Sequence, residues 1–471
     1  MSFDLEALKL ADTYHFEGAV NDGSNDFAAK LYLSPEKITI TIMGEKNDER
    51  NCDFGWGDIE TLLFTDMNKT FILHDLCFCR GGSRVISQYP KYIGFFESVF
   101  EVGYLIFAPS GLYENDLVQS ICIHSNKISE WVGNTNKQEE IIRAYNNNER
   151  LFDDHNKLDE FYIPLEETGI LGVSYNLSMH HSSPDFSAGI IFPPSLIITF
   201  CVGHTSKEVM NDFFKLYALL AFFIGSDFII EQIDLNMNSS HFGNKGTLYY
   251  PSKMYHPKYE QDYSTFPLGK NIRFDSLGLP PLPLTAFSKY YALPVIQSGY
   301  FLKYLKYKRL ENPEERFLGY FRILESLCFN KKSYLNEELL EKLSNRIKPY
   351  LIKVFGDKKS VTSFLKGLPR YNNSKYNTQK CILDFYVKIP QQTSGRWKLY
   401  KRDISGICKL RNDITHANDY SINASELVEK EKFIEVLLVF SLFEKLDITL
   451  PITSEIIDRL SGYSSLIRYE A

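Results

Sequence analysis

Arg411 and His416 are the residues whose types and spacing most clearly suggest chemistry in this chain. They begin and end the segment RNDITH, an R-x4-H pattern at 411–416. An arginine can donate two parallel hydrogen bonds to phosphate oxygens, and a histidine can serve as general base or acid near neutral pH. Cleaving RNA without a metal needs these groups, because a base must deprotonate the 2′-hydroxyl, a donor must protonate the leaving 5′-oxygen and a cation must bind the phosphate. The expected products carry a 2′,3′-cyclic phosphate and a 5′-hydroxyl.

A second match to the pattern exists at Arg150 and His155. With 16 arginines and ten histidines in 471 residues, about 0.3 matches are expected by chance at this spacing. The second pair lies in a polar, Asn-rich connecting segment, 144–157. We therefore treat it as the chance match and 411–416 as the candidate site.

The residues around Arg411 have the period of an amphipathic helix over about 395–416. Arg411 falls at the centre of its apolar stripe and should point at the core. Because a guanidinium keeps its charge on burial, it needs a carboxylate, a phosphate or an ordered water there, and Glu325 is a candidate partner. The stripe consists of Ile404, Ile407, Cys408, Ile414 and Thr415.

Three more helices are predicted around this one, which gives a four-helix bundle. The first begins with the cap Asn312 and with Pro313 at the first helical position. Another, at about 425–446, is apolar nearly all round and should lie between helices or in a subunit interface. The remaining helix spans about 334–356, with apolar residues at steps of four: Leu339, Leu343, Ile347, Leu351 and Phe355.

Charge is divided unequally along the chain. Residues 301–471 hold 30 Lys and Arg against 21 Asp and Glu, whereas residues 1–300 hold 22 against 38. The stretch 342–411 has 17 basic and three acidic residues, with aromatic residues interleaved. Cationic and aromatic side chains together favour contact with the phosphates and unstacked bases of a nucleic acid. The RNA-binding residues predicted next to the candidate site are Arg396, Lys398, Lys401, Arg402 and Lys409.

A C-terminal helical domain with R-N-D-x-x-H before its last long helix resembles the HEPN ribonuclease superfamily. The resemblance covers about residues 295–460. The layout of the chain is similar to that of ApeA-type anti-phage proteins, in which a β-rich N-terminal domain precedes an ApeA-like HEPN domain. Arg411 and His416 match the two defining positions, Asn412 matches the polar residue that often follows the arginine, and Glu325 corresponds loosely to an acidic residue on the first helix.

This resemblance implies a metal-independent endoribonuclease that acts as a homodimer in abortive infection, with tRNA or another cellular RNA as substrate and a phage-derived trigger. Helix geometry independently favours a dimer. A spacing of five places Arg411 and His416 about 140° apart on an ideal helix, so a site shared by two copies would bring them together. An alternative is a non-catalytic RNA-binding or protein-interaction module. In that interpretation Arg411 pairs structurally with Glu325, and His416 only caps the helix.

The N-terminal part predicts a different architecture. Short alternating runs separated by turn residues predict an antiparallel barrel or sandwich. One helix is signalled inside this part by Thr205 and Glu208 at its start and Gly225 at its end. The predicted fold class is therefore α+β, a β-rich region followed by an all-α HEPN-like bundle. The predicted strands lie at 30–34, 37–44, 71–79, 92–100, 103–108, 118–124, 188–192 and 195–203.

Domain boundaries follow from the change of pattern. We predict a β-rich domain at 1–145, a second β-containing region with one helix at 146–280, a Pro-rich linker at 281–294 and the helical domain at 295–471.

Composition excludes several classes of protein. The longest apolar run, 216–225, is far shorter than the ~20 residues of a membrane span. Eight scattered cysteines and the absence of a leader pattern predict a reduced, cytoplasmic protein. We expect no cofactor and no metal. His74, Cys77 and Cys79 are the one grouping with metal-ligand character, and strand alternation explains their spacing as well.

Overall fold

A computed structural model describes residues 6–22, 25–46, 54, 57–88, 91–109, 111–112, 116–147, 158–182, 187–238, 244–255, 259, 261–269, 278–330, 333–373 and 377–468. The chain divides into two compact units, residues 1–298 and 299–471. We call them the N-terminal unit and the helical unit. Arg150 and His155 lie outside the described residues.

The described part of the N-terminal unit is built mainly of strands. They are β1 (Tyr14–Asn21), β2 (Asp26–Leu33), β3 (Ile38–Lys46), β4 (Ile59–Asp66), β5 (Lys69–Gln88), β6 (Lys91–Ala108), β7 (Leu117–His124), β8 (Asp159–Leu165), β9 (Gly169–Tyr175), β10 (Ser178–Ser182), β11 (Ser187–Ile191), β12 (Pro194–His204), β13 (Gln232–Asn238) and β14 (Asn244–Tyr249). Its helices are α1 (Asn126–Val132), α2 (Asn136–Asn146), α3 (Val209–Ile224) and α4 (Thr285–Ala292).

Six of these strands form a closed antiparallel barrel. Their order is β3-β2-β1-β4-β5-β6, and pairing of β3 with β6 closes the sheet. Alternate residues fill the interior, as on β2, where Phe27, Ala29, Leu31 and Leu33 are buried. Closure removes free sheet edges. The far end of β6 continues into additional strands in the order β14-β13-β7-β12-β9-β8.

The predicted α+β fold class is confirmed, with differences in detail. The runs predicted as two strands at 92–100 and 103–108 are one strand, β6. The strands that were not predicted are β1, β4, β8, β9, β10, β13 and β14. Helix α3 follows its predicted signals. The Glu208 carboxylate accepts hydrogen bonds from the Thr205 backbone and hydroxyl, and Gly225 ends the helix at φ 82°.

The segment 281–294 contains a helix, where the sequence predicts a Pro-rich linker. Helix α4 buries Ala286, Phe287 and Tyr290 and contacts β8. The prolines stand before and after α4 rather than inside it, so they bound the helix instead of breaking it.

Helix α5 (Val295–Lys308) crosses the boundary between the two units in the sequence. The other helices of the helical unit come after it. Helix α6 (Pro313–Cys328) begins as predicted, because the Asn312 side chain accepts from the Glu314 backbone and Pro313 follows it. Helix α12 (Ala424–Lys445) packs along α6 and buries most of its C-terminal half. The remaining helices are α7 (Glu337–Phe355), α8 (Lys358–Asn372), α9 (Thr378–Tyr386), α10 (Gln391–Ser394), α11 (Asp403–Thr415) and α13 (Leu450–Ile456).

The helix predicted at 395–416 begins later than expected. Helix α11 starts at Asp403, and the preceding segment pairs with the C-terminal residues. Trp397 is fully buried, forms a β-bridge with Ile467 and donates from Nε1 to the Tyr463 hydroxyl at 2.8 Å. These tertiary contacts are incompatible with continuing the helix through 397.

Candidate active site of the helical unit

Helices α6 and α11 bring Glu325 and Arg411 together. Nη2 of Arg411 donates to Oε2 of Glu325 at 2.7 Å, so the candidate pairing is present. The Arg411 and Glu325 side chains remain 26% and 30% exposed. This arginine therefore faces α6 while part of its side chain stays open to solvent.

Three neighbours fix the ion pair. Nη1 of Arg411 donates to Oδ1 of Asn412 at 2.9 Å, and the guanidinium carbon lies 5.4 Å from the centre of the Phe321 ring. The Thr378 hydroxyl donates to Oε1 of Glu325. Neither Phe321 nor Thr378 was among the predicted site residues. Phe321 had a detectable signal, since it lies one helical turn before Glu325 on the same face of α6.

Cys408 lies one turn before Arg411 on α11. Burial, together with the negative charge of Glu325, raises the pKa of its thiol to about 11, although Arg411 acts in the opposite direction. A thiol with this pKa stays protonated near neutral pH, so Cys408 is unsuited to act as a nucleophile.

His416 occupies the end of α11. Its backbone N–H donates to the Asn412 carbonyl, and Ala417 then turns the chain at φ 52°. The imidazole is exposed, and no described residue forms a hydrogen bond with it. The structure thus brings Glu325, Arg411 and Asn412 together but leaves His416 outside that set.

Two protein-family models match the chain. ApeA N-terminal domain 1 matches residues 14–280, more than half of the chain, and Apea-like HEPN matches residues 318–451. The chain belongs to the ApeA-like HEPN family. This membership identifies an anti-phage HEPN protein, and its HEPN domain suggests nuclease activity. No curated protein and no solved structure matches the chain.

The five residues predicted to bind RNA in this ApeA-like HEPN protein differ in their surroundings. Arg396 pairs with Asp458 and Lys398 with Glu429, both at 3.2 Å. Lys401, Arg402 and Lys409 are exposed, and within the described residues none of them forms an ion pair. Arg402 contacts the Tyr400 ring at 5.6 Å.

Helices α7 and α8 form an open basic and aromatic surface, which we call the α7–α8 surface. Helix α7 buries none of its residues, so its apolar stripe is not a core face of this chain. Tyr334 and Tyr371 stack at 6.0 Å while both remain exposed. The other exposed aromatic residues of this surface are Tyr350, Phe355 and Phe364.

The histidine and cysteines considered for metal binding do not converge. His74 is buried, whereas Cys77 and Cys79 are exposed. Among the described residues of the protein, no group of three or more His, Cys, Asp or Glu side chains could hold a metal ion. None of the described helices has the length and apolar character that crossing a bilayer requires.

Proposed function

We propose that this ApeA-like HEPN protein is a metal-independent endoribonuclease that cuts cellular RNA during abortive infection. The proposal rests on how the Arg411 guanidinium is held and on how much of that side chain is open to solvent. Glu325 and Asn412 hold its guanidinium, a quarter of the side chain stays open to solvent, and an exposed histidine follows five residues later. A prepositioned and accessible cation is what a phosphate in the transition state requires.

In the proposed reaction, Arg411 binds the scissile phosphate and His416 transfers protons. A histidine base removes the 2′-hydroxyl proton, the 2′-oxygen attacks phosphorus, and the 5′-oxygen leaves after protonation. The products are a 2′,3′-cyclic phosphate and a 5′-hydroxyl. Glu325, Arg411 and Asn412 form a group that we call the Arg411 cluster, and His416 lies outside it in its own chain. We therefore propose that, in a homodimer, one protomer supplies the histidine to the arginine of the other. No cofactor is needed.

RNA contact outside the reacting phosphate is proposed for the α7–α8 surface and for Lys401, Arg402 and Lys409. Exposed rings provide stacking platforms, and the unpaired cations provide attraction to phosphates. The proposed substrate is tRNA or another cellular RNA.

Regulation is proposed for the N-terminal unit, which would respond to a phage-derived trigger. The proposed interaction is electrostatic attraction between the excess of acidic residues in this unit and a basic RNA-binding region. A chain lacking residues 1–290 should then differ in toxicity from the full chain. Unchanged toxicity at equal expression would exclude this regulation.

The decisive experiment incubates purified protein with total cellular RNA in EDTA and maps the fragment ends. The full chain should produce discrete fragments with cyclic ends, and His416→Ala should abolish them while the dimer persists in sedimentation. His15→Ala, which removes an exposed histidine of the N-terminal unit, serves as control. Cleavage retained by His416→Ala would refute the assignment.

The second candidate function is a non-catalytic RNA-binding module. It is favoured by the ion pair itself, since Glu325 already satisfies the charge of Arg411. In that case RNA would bind and remain intact in the same assay. Activity that EDTA removes would instead indicate a metal-dependent enzyme.

A further inference from the structure

Strands β5 and β6 of the barrel form a hairpin, and two arginines lie in the second half of β5. Arg80 and Arg84 are both exposed. They belong to the acidic part of the chain, where residues 1–300 hold 22 basic against 38 acidic residues. A pair of cations in this setting is a feature that the proposed nuclease does not use.

Sheet register places these arginines around a gap. Because alternate residues share a face, Arg80, Gly82 and Arg84 lie on one side of β5. On β6, Phe95 lies opposite Arg84 and Glu97 lies opposite Gly82. A side-chain carbon added at Gly82 would meet no atom within 4 Å, so the surface is open at this point.

The result is a depression of about 300 Å³, which we call the Arg80–Arg84 depression. Two guanidiniums, the half-exposed ring of Phe95 and the carboxylate of Glu97 line it, and Met43 of β3 contributes an apolar contact. Its volume lies at the lower end of the range for small-ligand sites. The lining combines cationic, aromatic and acidic groups within one ligand's reach.

The charged groups of the depression are not neutralised. Among the described residues, Arg80, Arg84 and Glu97 form no ion pair and no side-chain hydrogen bond. Elsewhere in the same unit exposed cations do pair, as Lys30 does with Glu17 at 2.9 Å and Lys207 with Glu60 at 2.7 Å. Among the described residues, neither guanidinium therefore has a carboxylate partner that an incoming anion would have to displace.

We propose that the Arg80–Arg84 depression binds a nucleoside phosphate, with preference for guanosine. The arginines bind the phosphate oxygens, since guanidinium matches phosphate geometry. The base lies against the Phe95 ring. Glu97 accepts from the base, and guanine alone among the common bases offers two adjacent N–H donors to one carboxylate. This site is independent of Arg411 and His416.

The test measures fluorescence of a guanosine monophosphate labelled on its ribose during titration with the full chain. GMP should displace it at lower concentration than AMP, guanosine or inorganic phosphate. Arg80→Ala combined with Arg84→Ala should weaken binding at least about tenfold. Arg143→Ala, an exposed arginine on α2 of the same unit, is the matched control and should leave binding unchanged.

Two further variants keep the result interpretable. Gly82→Leu fills the depression without removing a charge and should also abolish binding, while Glu97→Gln should reduce the preference for GMP over AMP. A guanosine-containing hexaribonucleotide that competes better than GMP identifies an RNA strand as the source of the ligand, and a weaker one identifies the free nucleotide. No saturable GMP binding, or binding unaffected by both the double variant and Gly82→Leu, overturns the proposal.

Discussion

His74 is a buried histidine that is only partly satisfied. Its side chain is 1% exposed, its ring stacks on Tyr104 at 4.7 Å, and Nδ1 lies 3.4 Å from the Thr61 hydroxyl. Nε2 is buried, and no described group forms a hydrogen bond with it. Burial, with a smaller contribution from the positive charge of Lys207, lowers the pKa of His74 to about 4. The imidazole is therefore neutral at physiological pH.

This pKa predicts acid sensitivity of the N-terminal unit. The unfolded chain takes up a proton at His74 near pH 6.5, whereas the folded chain does so only near pH 4. Stability is therefore full above pH 6.5 and should fall by about 3 kcal/mol as the pH drops to 4. Urea unfolding of wild type and His74→Phe at both pH values measures this loss, which the variant should lack. His15→Phe, at an exposed histidine, should behave as wild type, and equal pH dependence in His74→Phe would contradict the assignment.

The Arg411 cluster gives a second prediction at the residue scale. Glu325→Gln keeps the shape of the side chain but removes the charge that holds the guanidinium. Because both groups are partly exposed, the free energy of unfolding should change by less than about 1 kcal/mol. If Arg411 binds the phosphate, kcat should fall at least about tenfold with little change in KM. Unchanged kcat would favour a purely structural ion pair.

At the scale of the structural element, the turn at the end of α11 and the buried carboxylates of α12 each affect the stability of the helical unit. At the end of α11, Ala417 adopts φ 52° and the Asn418 N–H donates to the Asp413 carbonyl. This left-handed turn places His416 at the helix end. Alanine adopts that conformation at a cost of about 1 kcal/mol, which a glycine would avoid.

Ala417→Gly should therefore stabilise the helical unit by about 0.5 kcal/mol, because the lower strain is partly offset by the greater freedom of glycine in the unfolded chain. Chemical denaturation measures the difference. Ala424→Gly, in the first turn of α12, is the control and should destabilise. Destabilisation by Ala417→Gly would show that the turn is not strained.

Helix α12 buries two carboxylates, Glu431 and Glu435, which its largely apolar sequence did not indicate. Glu431 pairs with Arg316 at 3.2 Å. Glu435 accepts from the Tyr304 hydroxyl at 2.9 Å and pairs with Lys432 and Lys308. Burial raises the pKa of Glu435, but the two lysines outweigh it and lower the value to about 2. The network joins α5 to α12 through buried charged and hydrogen-bonding groups.

Glu435→Gln should destabilise the helical unit by about 3–5 kcal/mol, because Lys308 and Lys432 would stay buried without their carboxylate. The stabilisation from Glu435 is present above pH 4.5 and is lost as the pH falls towards 2. Denaturation at pH 7 measures the first effect. Lys308→Met in the Glu435→Gln background should recover part of the loss, and a neutral Glu435→Gln would contradict the account.

At the scale of the whole molecule, the boundaries of the two family matches and the distribution of charge both agree with the division into an N-terminal unit and a helical unit. The match to ApeA N-terminal domain 1 ends inside the N-terminal unit, and the HEPN match lies inside the helical unit. The excess of basic residues belongs to the second. If RNA binds there, its affinity should depend on salt through the number of unpaired cations.

A triple substitution of Lys401, Arg402 and Lys409 by alanine should weaken RNA binding and reduce the slope of log K against log salt by about 2, at roughly 0.7 per phosphate contact. Filter binding over a range of salt concentrations measures the slope. Arg396→Ala with Lys398→Ala removes two cations already paired with acids and should have a smaller effect per residue. An equal or larger effect per residue would contradict the proposed RNA surface.

Much of the fold could be predicted because its signals are local. The cap at Asn312, the stop at Gly225 and the apolar run of α12 are signals carried by residues close together in sequence, and all three helices are present. Helical period predicted that Arg411 points at the core, and Glu325 was one candidate partner for it; the ion pair is present. The catalytic and RNA-binding roles of the site residues stay predictions.

Tertiary structure decided what depends on contacts distant in sequence. Burial of Trp397 against the C-terminal segment delays α11, and no residue in the apolar stripe of α7 is fully buried, although α8 packs against that helix. Barrel closure between β3 and β6, and the register that groups Arg80, Gly82 and Glu97, follow from strand pairing. Periodicity shows which side of an element is apolar, but only long-range packing determines what covers that side.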